Sequence, residues 1–162
     1  MNREKGTLYL IPSPLGALPD GTSGTPGRQQ VPQHLVHFIV ENEKTARRFL
    51  KHTGLPVPIG DIQLYPLNKH TKPEDLSAGI APLLAGHDAG LLSEAGCPCI
   101  ADPGAAIVKM AHERGIRVIP LAGPSSILLA LMASGMNGQR FVFHGYLPVN
   151  RQERIKTIKL IE

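Results

Sequence analysis

The residues best suited to chemistry in this 162-residue sequence lie close together, between Ser93 and Gly104. Glu94 and Asp102 each supply a carboxylate, and most of the residues between them are small or proline. Small side chains leave backbone N–H and C=O groups accessible to a ligand, while a carboxylate can accept a proton or a hydrogen bond. We therefore predict a ligand site here, with Glu94 as the best candidate for a catalytic role. The alternative for Glu94 is a structural hydrogen bond to the loop backbone.

The position of this segment in the chain favours a site. The run Ala89–Ser93 is short and apolar up to its last residue, which is typical of a central strand buried on both faces of a parallel sheet. Ligands of open α/β sheets bind at the carboxyl ends of strands. Asp102 and Pro103 then predict a helix start, as N-cap and first helical residue, and the helix extends to Arg114. An ordinary tight turn is the alternative, although the loop exceeds the usual length of about two to six residues.

Predicted strands alternate with predicted helices along the chain. The strands are Thr7–Ile11, Val36–Val40, Ile62–Leu67, Ala89–Ser93 and Val118–Leu121, and the helices are Glu43–His52, Glu74–Ala85, Pro103–Arg114 and Ser125–Ser134. This alternation predicts βαβ units, and hence an α/β fold with a parallel sheet and helices on its faces. The helix Ser125–Ser134 is apolar on all sides, which predicts that it is buried.

Four segments, in order along the chain, resemble the tetrapyrrole-methylase superfamily of S-adenosylmethionine-dependent methyltransferases. Residues 93–104 are SEAGCPCIADPG, similar to the family signature S-D-A-G-T-P-x-I-x-D-P-G. Residues 8–18 (LYLIPSPLGAL), 121–126 (LAGPSS) and 140–148 (RFVFHGYLP) resemble the family's LYxVxTPIGNL, LPGPSA and RFxFxGFLP. The closest branch is that of the ribosomal RNA small-subunit 2′-O-ribose methyltransferases.

This resemblance implies an αβα first domain of the tetrapyrrole-methylase type and S-adenosylmethionine as cofactor. It implies that the cofactor lies in a cleft between two α/β domains and touches the loops at 12–16, 94–102 and 123–126. The predicted cofactor-binding residues are Pro14, Ser93, Glu94, Ala95, Gly96, Cys97, Ile100, Asp102, Ser125 and Ser126. Methyl transfer needs alignment of the reactants, exclusion of water and sometimes a base. The implied acceptor is ribosomal RNA ribose, with a small heterocycle as an alternative.

The helix start at Gly123–Ser126 has two interpretations. Exposed N–H groups and the helix dipole at such an end favour an anion, such as the carboxylate of the cofactor. A plain serine N-cap is the alternative. The resemblance, which implies cofactor contacts at this loop, favours the first interpretation.

Two segments depart from the family pattern. Residues 17–30 are rich in Gly, Pro, Ser and Thr where relatives carry an early helix, and we predict a mobile loop there. After the second strand the family motif is A-E-D-T-R, whereas this chain has Val40-Glu41-Asn42-Glu43-Lys44. Glu41 is retained, but the acidic residue that follows it in the family is Asn42 here.

The formal net charge is +4, and the basic residues cluster in two places. One cluster follows Arg140, and the other lies on the helix predicted from Glu43, at Lys44, Arg47, Arg48 and Lys51. A solvated helix face and a contact with RNA both fit the second cluster. The chain has no Trp, four Phe and three Tyr, so a platform for base stacking is not evident.

Several other site classes are disfavoured by the sequence. It contains neither G-x-x-x-x-G-K-[ST] nor a G-x-G-x-x-G after the first strand, which argues against the two common phosphate-binding motifs. Cys97 and Cys99 are too few for a zinc site, so we predict no metal. Cys97 as a nucleophile would need a base partner, and we interpret it as a small lining residue. No apolar stretch of about 18 residues and no signal peptide occur, so we expect a cytoplasmic protein without membrane contact.

The end of the sequence predicts a second domain that is truncated. We divide the chain into an N-terminal α/β domain, 1–137, and the start of a second α/β domain, 138–162, with a first strand at Phe141–Tyr146 and a helix from Arg151. Ile155, Ile158 and Ile161 form an apolar stripe on that helix, from which we expect a homodimer. Two hypotheses stand: a methyltransferase, and a truncated remnant or binding module without catalysis. Because the resemblance implies a cleft closed by the second domain, we expect this chain alone to bind the cofactor weakly and to transfer little or no methyl.

Overall fold

Short apolar segments pair as five parallel strands, in the spatial order β3-β2-β4-β1-β5. The computed structural model describes residues 4–16, 31–68, 71 and 73–161, so the loop predicted at 17–30 lies outside the described residues. In chain order the elements are β1 Thr7–Ile11, β2 His37–Val40, α1 Glu43–Thr53, β3 Gln63–Pro66, α2 Pro73–Leu84, β4 Ala89–Leu92, α3 Gly104–Glu113, β5 Arg117–Pro120, α4 Ser126–Ser134 and α5 Arg151–Ile161. The prediction of an α/β fold with a parallel sheet is confirmed.

The strand β4 lies at the centre of the sheet, between β1 and β2, and all four of its residues are buried. Its small Gly90 is required there, because an added Cβ would come within 2.6 Å of the Ile11 side chain and 2.8 Å of Phe38. The register aligns Leu92 with Ile11 on one side and Val40 on the other. The three strands β1, β2 and β4 therefore end at the same level of the sheet, and the segments that follow them lie close together.

Helices cover both faces of the sheet. On one face, α2 and α3 contribute Ile80, Leu83 and Ile107 to a core that includes Leu8 and Leu91. On the other face, α1 contributes Ala46 and Leu50 to a second core. The strand residues in this core are Ile11, Phe38, Val40 and Leu92. Alternate side chains of one strand thus enter opposite cores, as the period of two requires.

Helix α1 has well-defined ends. The Asn42 side chain caps it by accepting from the backbone N–H groups of Lys44 at 2.9 Å and Thr45 at 3.3 Å. The helix ends at Thr53, and the C-cap residue Gly54 has a φ of 74°, in the left-handed region typical of helix C-termini. Asparagine at position 42 therefore performs the capping that an aspartate would also perform.

The predicted start of α3 is one residue too early. The helix begins at Gly104, with Pro103 as the N-cap residue and without a side-chain cap from it. Asp102 Oδ1 instead accepts from the N–H groups of Cys99 and Gly104, both at 2.8 Å. Asp102 thus accepts from the first N–H of the helix although it precedes the N-cap residue, and the same carboxylate closes the preceding turn by its bond from Cys99.

Contacts divide the chain into two compact units, Met1–Ser126 and Ile127–Glu162. In the second unit, residues 141–148 form no strand, contrary to the strand predicted at Phe141–Tyr146. A strand needs a hydrogen-bonding partner, and residues 127–161 supply none. The prediction that α4 is buried is also wrong for the described chain, because none of its residues is buried and Met132 is 77% exposed.

Among the described residues, no helix combines the length and the apolar character needed to cross a membrane.

Candidate functional site

The loops after β1 and β4 are joined by backbone hydrogen bonds. Ser13 and Gly96 pair as an isolated antiparallel bridge, with each N–H donating to the other's carbonyl at 2.9 Å. Two buried hydroxyls reinforce this bridge: Ser13 Oγ donates to the Ser93 carbonyl at 2.6 Å, and Ser93 Oγ donates to the Gly96 carbonyl at 2.7 Å. The loop after the central strand is therefore held in place against its neighbour.

The loop after β5 packs on the same two loops. Gly123 lies so close to Pro12 that an added Cβ would be 2.2 Å from the Pro12 Cβ. The Cys97 thiol donates to the Pro124 carbonyl at 3.4 Å. The three loops predicted to share a site, at 12–16, 94–102 and 123–126, are thus adjacent at the carboxyl ends of β1, β4 and β5.

A small pocket of about 70 Å³ opens beside these loops, at the carboxyl ends of β1, β2 and β4. Apolar side chains of the strand ends and of α1 form one part of its lining, and serine, threonine and carboxylate groups form the other. The lining residues are Ser13, Pro14, Val40, Glu41, Thr45, Ala46, Phe49, Leu92, Ser93 and Glu94. An apolar wall with a few convergent polar groups is the usual character of a ligand site.

Two carboxylates give the pocket negative charge. Glu94 Oε1 accepts from the Thr45 hydroxyl at 2.5 Å. That hydroxyl also lies 3.0 Å from the Asn42 carbonyl, but a hydroxyl has one proton and the charged acceptor at the shorter distance binds it more strongly. The Glu94 partner is therefore a side chain of α1.

Glu41 is the second carboxylate of the pocket. Burial raises the pKa of Glu41, and the nearby carboxylates of Asp102 and Glu94 raise this pKa further, while a hydrogen bond from the Glu94 backbone N–H acts in the opposite direction. Like charges and partial desolvation both disfavour the ionised form. Ionisation of Glu41 is therefore unfavourable in the absence of a ligand, and a bound cation would stabilise the ionised form.

The loop between Gly96 and Gly104 has an unusual backbone. Cys99 and Ala101 have φ values of 70° and 59°, in the left-handed region that side chains other than Gly rarely adopt. The two hydrogen bonds to Asp102 hold this conformation. Burial, with a smaller contribution from the Asp102 charge, raises the pKa of Cys99 to about 11, so this thiol is protonated at neutral pH.

The predicted cofactor residues fall into two groups. Pro14, Ser93 and Glu94 line the pocket directly. The others lie on the surrounding loops, where Gly96 and Asp102 make backbone contacts and Ile100 is 51% exposed to solvent. Outside the pocket lining are Ala95, Gly96, Cys97, Ile100, Asp102, Ser125 and Ser126.

Glu41, Thr45 and Phe49 line the pocket but were not predicted as site residues. All three belong to the segment that begins where β2 ends. The sequence did contain a signal, because Glu41 immediately follows the apolar strand β2 and Glu94 lies two residues after the end of β4. Its meaning depends on strand order, since β2 is adjacent to β4 in space although α1, β3 and α2 lie between them in sequence.

Within the described ranges, no group of three or more His, Cys, Asp or Glu side chains is arranged to hold a metal ion.

Comparison with known proteins identifies relatives across the length of the chain. The chain is 33% identical over 161 residues to the ribosomal RNA small subunit methyltransferase I of Escherichia coli O157:H7. The alignment covers 99% of this chain and 54% of that protein. The proteins of the same name from Xylella fastidiosa and Pseudomonas aeruginosa are 35% and 31% identical and cover 92% and 97% of this chain. The chain spans about half the length of these curated relatives.

No family model matches the chain. The relatives nevertheless match at 30% identity or more, in one alignment that includes the loops of the pocket. The similarity thus extends through the sheet, α1 and the segments that carry the four motifs. This homology confirms the resemblance to the tetrapyrrole-methylase superfamily and to its ribosomal RNA small-subunit branch.

Proposed function

We propose that this chain forms part of the S-adenosylmethionine site of a methyltransferase that acts on ribosomal RNA of the small subunit. The observation that carries the proposal is the pocket at the ends of β1, β2 and β4, where Glu41 and Glu94 face an apolar wall. The names of the relatives, ribosomal RNA small subunit methyltransferase I, support the reaction class and the RNA. They do not favour a binding module without catalysis or a methyltransferase of small heterocycles.

The residues of the pocket fit the chemistry of this cofactor. S-Adenosylmethionine, when bound, supplies a methyl group activated by a positively charged sulfonium. The carboxylates of Glu41 and Glu94 favour a cationic ligand, and Phe49, Val40 and Leu92 offer an apolar surface that excludes water. Charge complementarity in a partly dehydrated pocket is stronger than it is in open solvent.

The three joined loops have the rigidity that methyl transfer needs. An in-line displacement depends on alignment, and a displacement of about 1 Å can cost about 100-fold in rate. The bridge between Ser13 and Gly96 and the packing of Gly123 on Pro12 hold the loops at fixed separation. The residues we propose for cofactor contact are Pro14, Glu41, Thr45, Ser93, Glu94, Ala95, Gly96, Cys97, Ile100, Asp102, Ser125 and Ser126.

The size of the pocket indicates how much of the ligand it holds. Sites that bury a whole ligand of this size enclose roughly 300–1,000 Å³, whereas this pocket encloses about 70 Å³. We infer that it holds one cationic part of the cofactor and that other surfaces hold the remainder. We propose that a second domain, beginning near residue 138, supplies these other surfaces.

Two further properties follow from the proposal. We also propose a cytoplasmic location, which an acceptor on the small ribosomal subunit supports. The exposed apolar side chains of the second unit, among them Phe141, Val142 and Ile155, support a homodimer. Light scattering that shows a monomer at high concentration would contradict the dimer.

The decisive experiment is a titration of the ¹⁵N-labelled chain with S-adenosylmethionine, which carries the sulfonium, beside S-adenosylhomocysteine, which keeps only the ammonium. We expect amide shifts at Ser13, Glu41 and Ser93 to Gly96. Glu94→Gln should weaken binding, whereas Glu113→Gln should not, because Glu113 is exposed on α3 at the other face of the sheet. Shifts confined to the solvent face of α1, or thermal stabilisation by NAD and not by the methyl cofactor, would overturn the proposal. Labelled-methyl transfer to small ribosomal subunits tests the acceptor separately.

A further inference from the structure

Three cationic side chains project from one side of α1 and have no partner among the residues that the structure describes. Lys44, Arg48 and Lys51 are all exposed and occupy positions i, i+4 and i+7, which places them along one face of a helix, over about 10 Å. Within the described part of the chain, none of these three side chains makes an ion pair or a side-chain hydrogen bond. Their charges are therefore available to another molecule.

The fourth cation of α1 has a different role. Arg47 pairs with Glu43 at 3.5 Å and donates to the Ile59 carbonyl at 3.0 Å. Arg47 thus ties the helix to the segment before β3 and neutralises Glu43 at the same time. The pairing leaves the row Lys44, Arg48 and Lys51 as an uncompensated positive strip, which we call the α1 strip.

The α1 strip lies on the same helix as the pocket. Thr45 and Phe49 line the pocket, and each is the immediate neighbour in sequence of a member of the strip. The Asn42 cap and the buried residues Ala46 and Leu50 fix the helix on the sheet. A ligand bound along the strip would therefore have a defined position relative to Glu94.

The composition of this surface indicates which polyanion it fits. The exposed residues of α1 are Glu43, Lys44, Arg48, Lys51 and His52. None of them is apolar, so the surface lacks the apolar face with which an amphipathic helix enters a lipid bilayer. It also lacks aromatic side chains on which unpaired bases would stack. A row of point charges about one helical turn apart suits the phosphates of a nucleic-acid backbone, which position the polymer without reading its sequence.

We propose that the α1 strip binds the phosphate backbone of the substrate RNA and orients it toward the pocket. This inference rests on the proposed function, because it takes small-subunit ribosomal RNA as the polyanion. Three phosphate contacts to a single strand should contribute about 2 to the slope of log K against log salt concentration, at roughly 0.7 for each contact.

The experiment measures binding of the chain to a small-subunit ribosomal RNA transcript between 50 and 200 mM salt. In the triple variant Lys44→Gln/Arg48→Gln/Lys51→Gln, we expect the salt slope to become shallower by about 2. The matched control is Lys109→Gln/Arg114→Gln/Arg117→Gln, which removes the same charge from α3 and its neighbourhood, on the other face of the sheet. This control should keep most of the slope. The charge-conserving variant Lys44→Arg/Arg48→Lys/Lys51→Arg should retain the wild-type slope.

An equal reduction of the salt slope in the two charge-removing variants would show a non-specific effect of net charge and overturn the proposal. An unchanged salt slope in the α1 variant would also overturn it. Weakened binding to whole small subunits, with unchanged binding to the naked transcript, would assign the strip to a ribosomal protein instead and refute the RNA contact. The affinity for S-adenosylhomocysteine, measured in parallel without RNA, keeps a failure of this inference distinct from a failure of the proposed function.

Discussion

The Thr45 hydroxyl donates a 2.5 Å hydrogen bond to the Glu94 carboxylate, and so links the first turn of α1 to the loop after β4. The two residues are 49 positions apart in the chain. They meet because β2 and β4 are neighbours in the sheet, and the elements that follow them start from the same edge. This contact joins the helix that carries the α1 strip to the carboxylate that we propose for the cofactor site.

Removing the Thr45 hydroxyl should therefore loosen Glu94. We expect Thr45→Val to weaken binding of S-adenosylhomocysteine by about tenfold, since a hydrogen bond to a charged group contributes about 1.5–3 kcal/mol and solvent offsets part of its loss. Calorimetric titration measures the affinity. Thr45→Ser keeps the hydroxyl and should remain close to wild type; equal affinity in Thr45→Val and wild type would contradict the role of this contact.

The packing of Gly123 on Pro12 should not tolerate a side chain. An alanine Cβ at position 123 would lie 2.2 Å from the Pro12 Cβ, so Gly123→Ala must displace one loop and should cost about 1–3 kcal/mol. Urea unfolding measures the loss. Gly60→Ala is the matched control, because an added Cβ there has nothing within 4 Å. A Gly123→Ala midpoint equal to that of wild type would show that the loops are not held together.

We expect ionised Glu41 to lower the stability of the folded chain and to strengthen binding of the cofactor. Because its pKa is raised in the folded chain, the folded state retains the proton more firmly than the unfolded state, and this stabilising contribution is lost as pH rises above 4.5. At pH 7.5 we expect Glu41→Gln to raise the melting temperature slightly while weakening cofactor binding. The difference in melting temperature should shrink toward pH 4. A variant that melts lower than wild type at pH 7.5 would be inconsistent with this explanation.

His37 should make the apo chain sensitive to mild acid. Burial, and then the neighbouring His87, lower the pKa of His37 below 6.5, so the unfolded state binds the proton more readily. Stability is then complete above pH 6.5 and falls as pH decreases below that value. Melting curves at pH 7.5 and pH 5.5 should show this loss, and His87→Gln should reduce it by removing the like charge. An identical pH dependence in His87→Gln would exclude the His87 contribution.

Cys99 should be slow to alkylate at neutral pH. With its pKa at about 11, compared with 9.0 for an unperturbed thiol, the thiolate fraction near pH 8 is about 100-fold smaller, and the thiolate is the reactive form. We expect iodoacetamide to label Cys99 about 100-fold more slowly than a free thiol, measured by mass spectrometry in a Cys97→Ser background. Because the thiol form is stabilised by folding, stability should decrease above pH 9. Rapid labelling at pH 7 would refute the raised pKa.

Local sequence patterns determined most of the elements of this protein. The apolar run at Thr7–Ile11 matches β1 in both bounds, and α1, α4 and α5 match within one residue at each predicted end. The signature at 93–104 located the central loop because small residues after an apolar strand have a direct physical meaning. These features depend on side-chain period and backbone preference, both of which are properties of short segments.

Only the tertiary structure decided which of those segments meet. Glu41 and Thr45 became pocket residues because β2 pairs with β4, and strand order is set by the packing of whole layers rather than by the period of any one strand. The same dependence on distant partners explains the two errors in the second unit. The pattern of Phe141–Tyr146 and the apolar surface of α4 predicted a strand and a buried helix, yet both require other elements to pair with or pack against. Residues 127–161 do not provide them, so the pattern alone could not produce the structure.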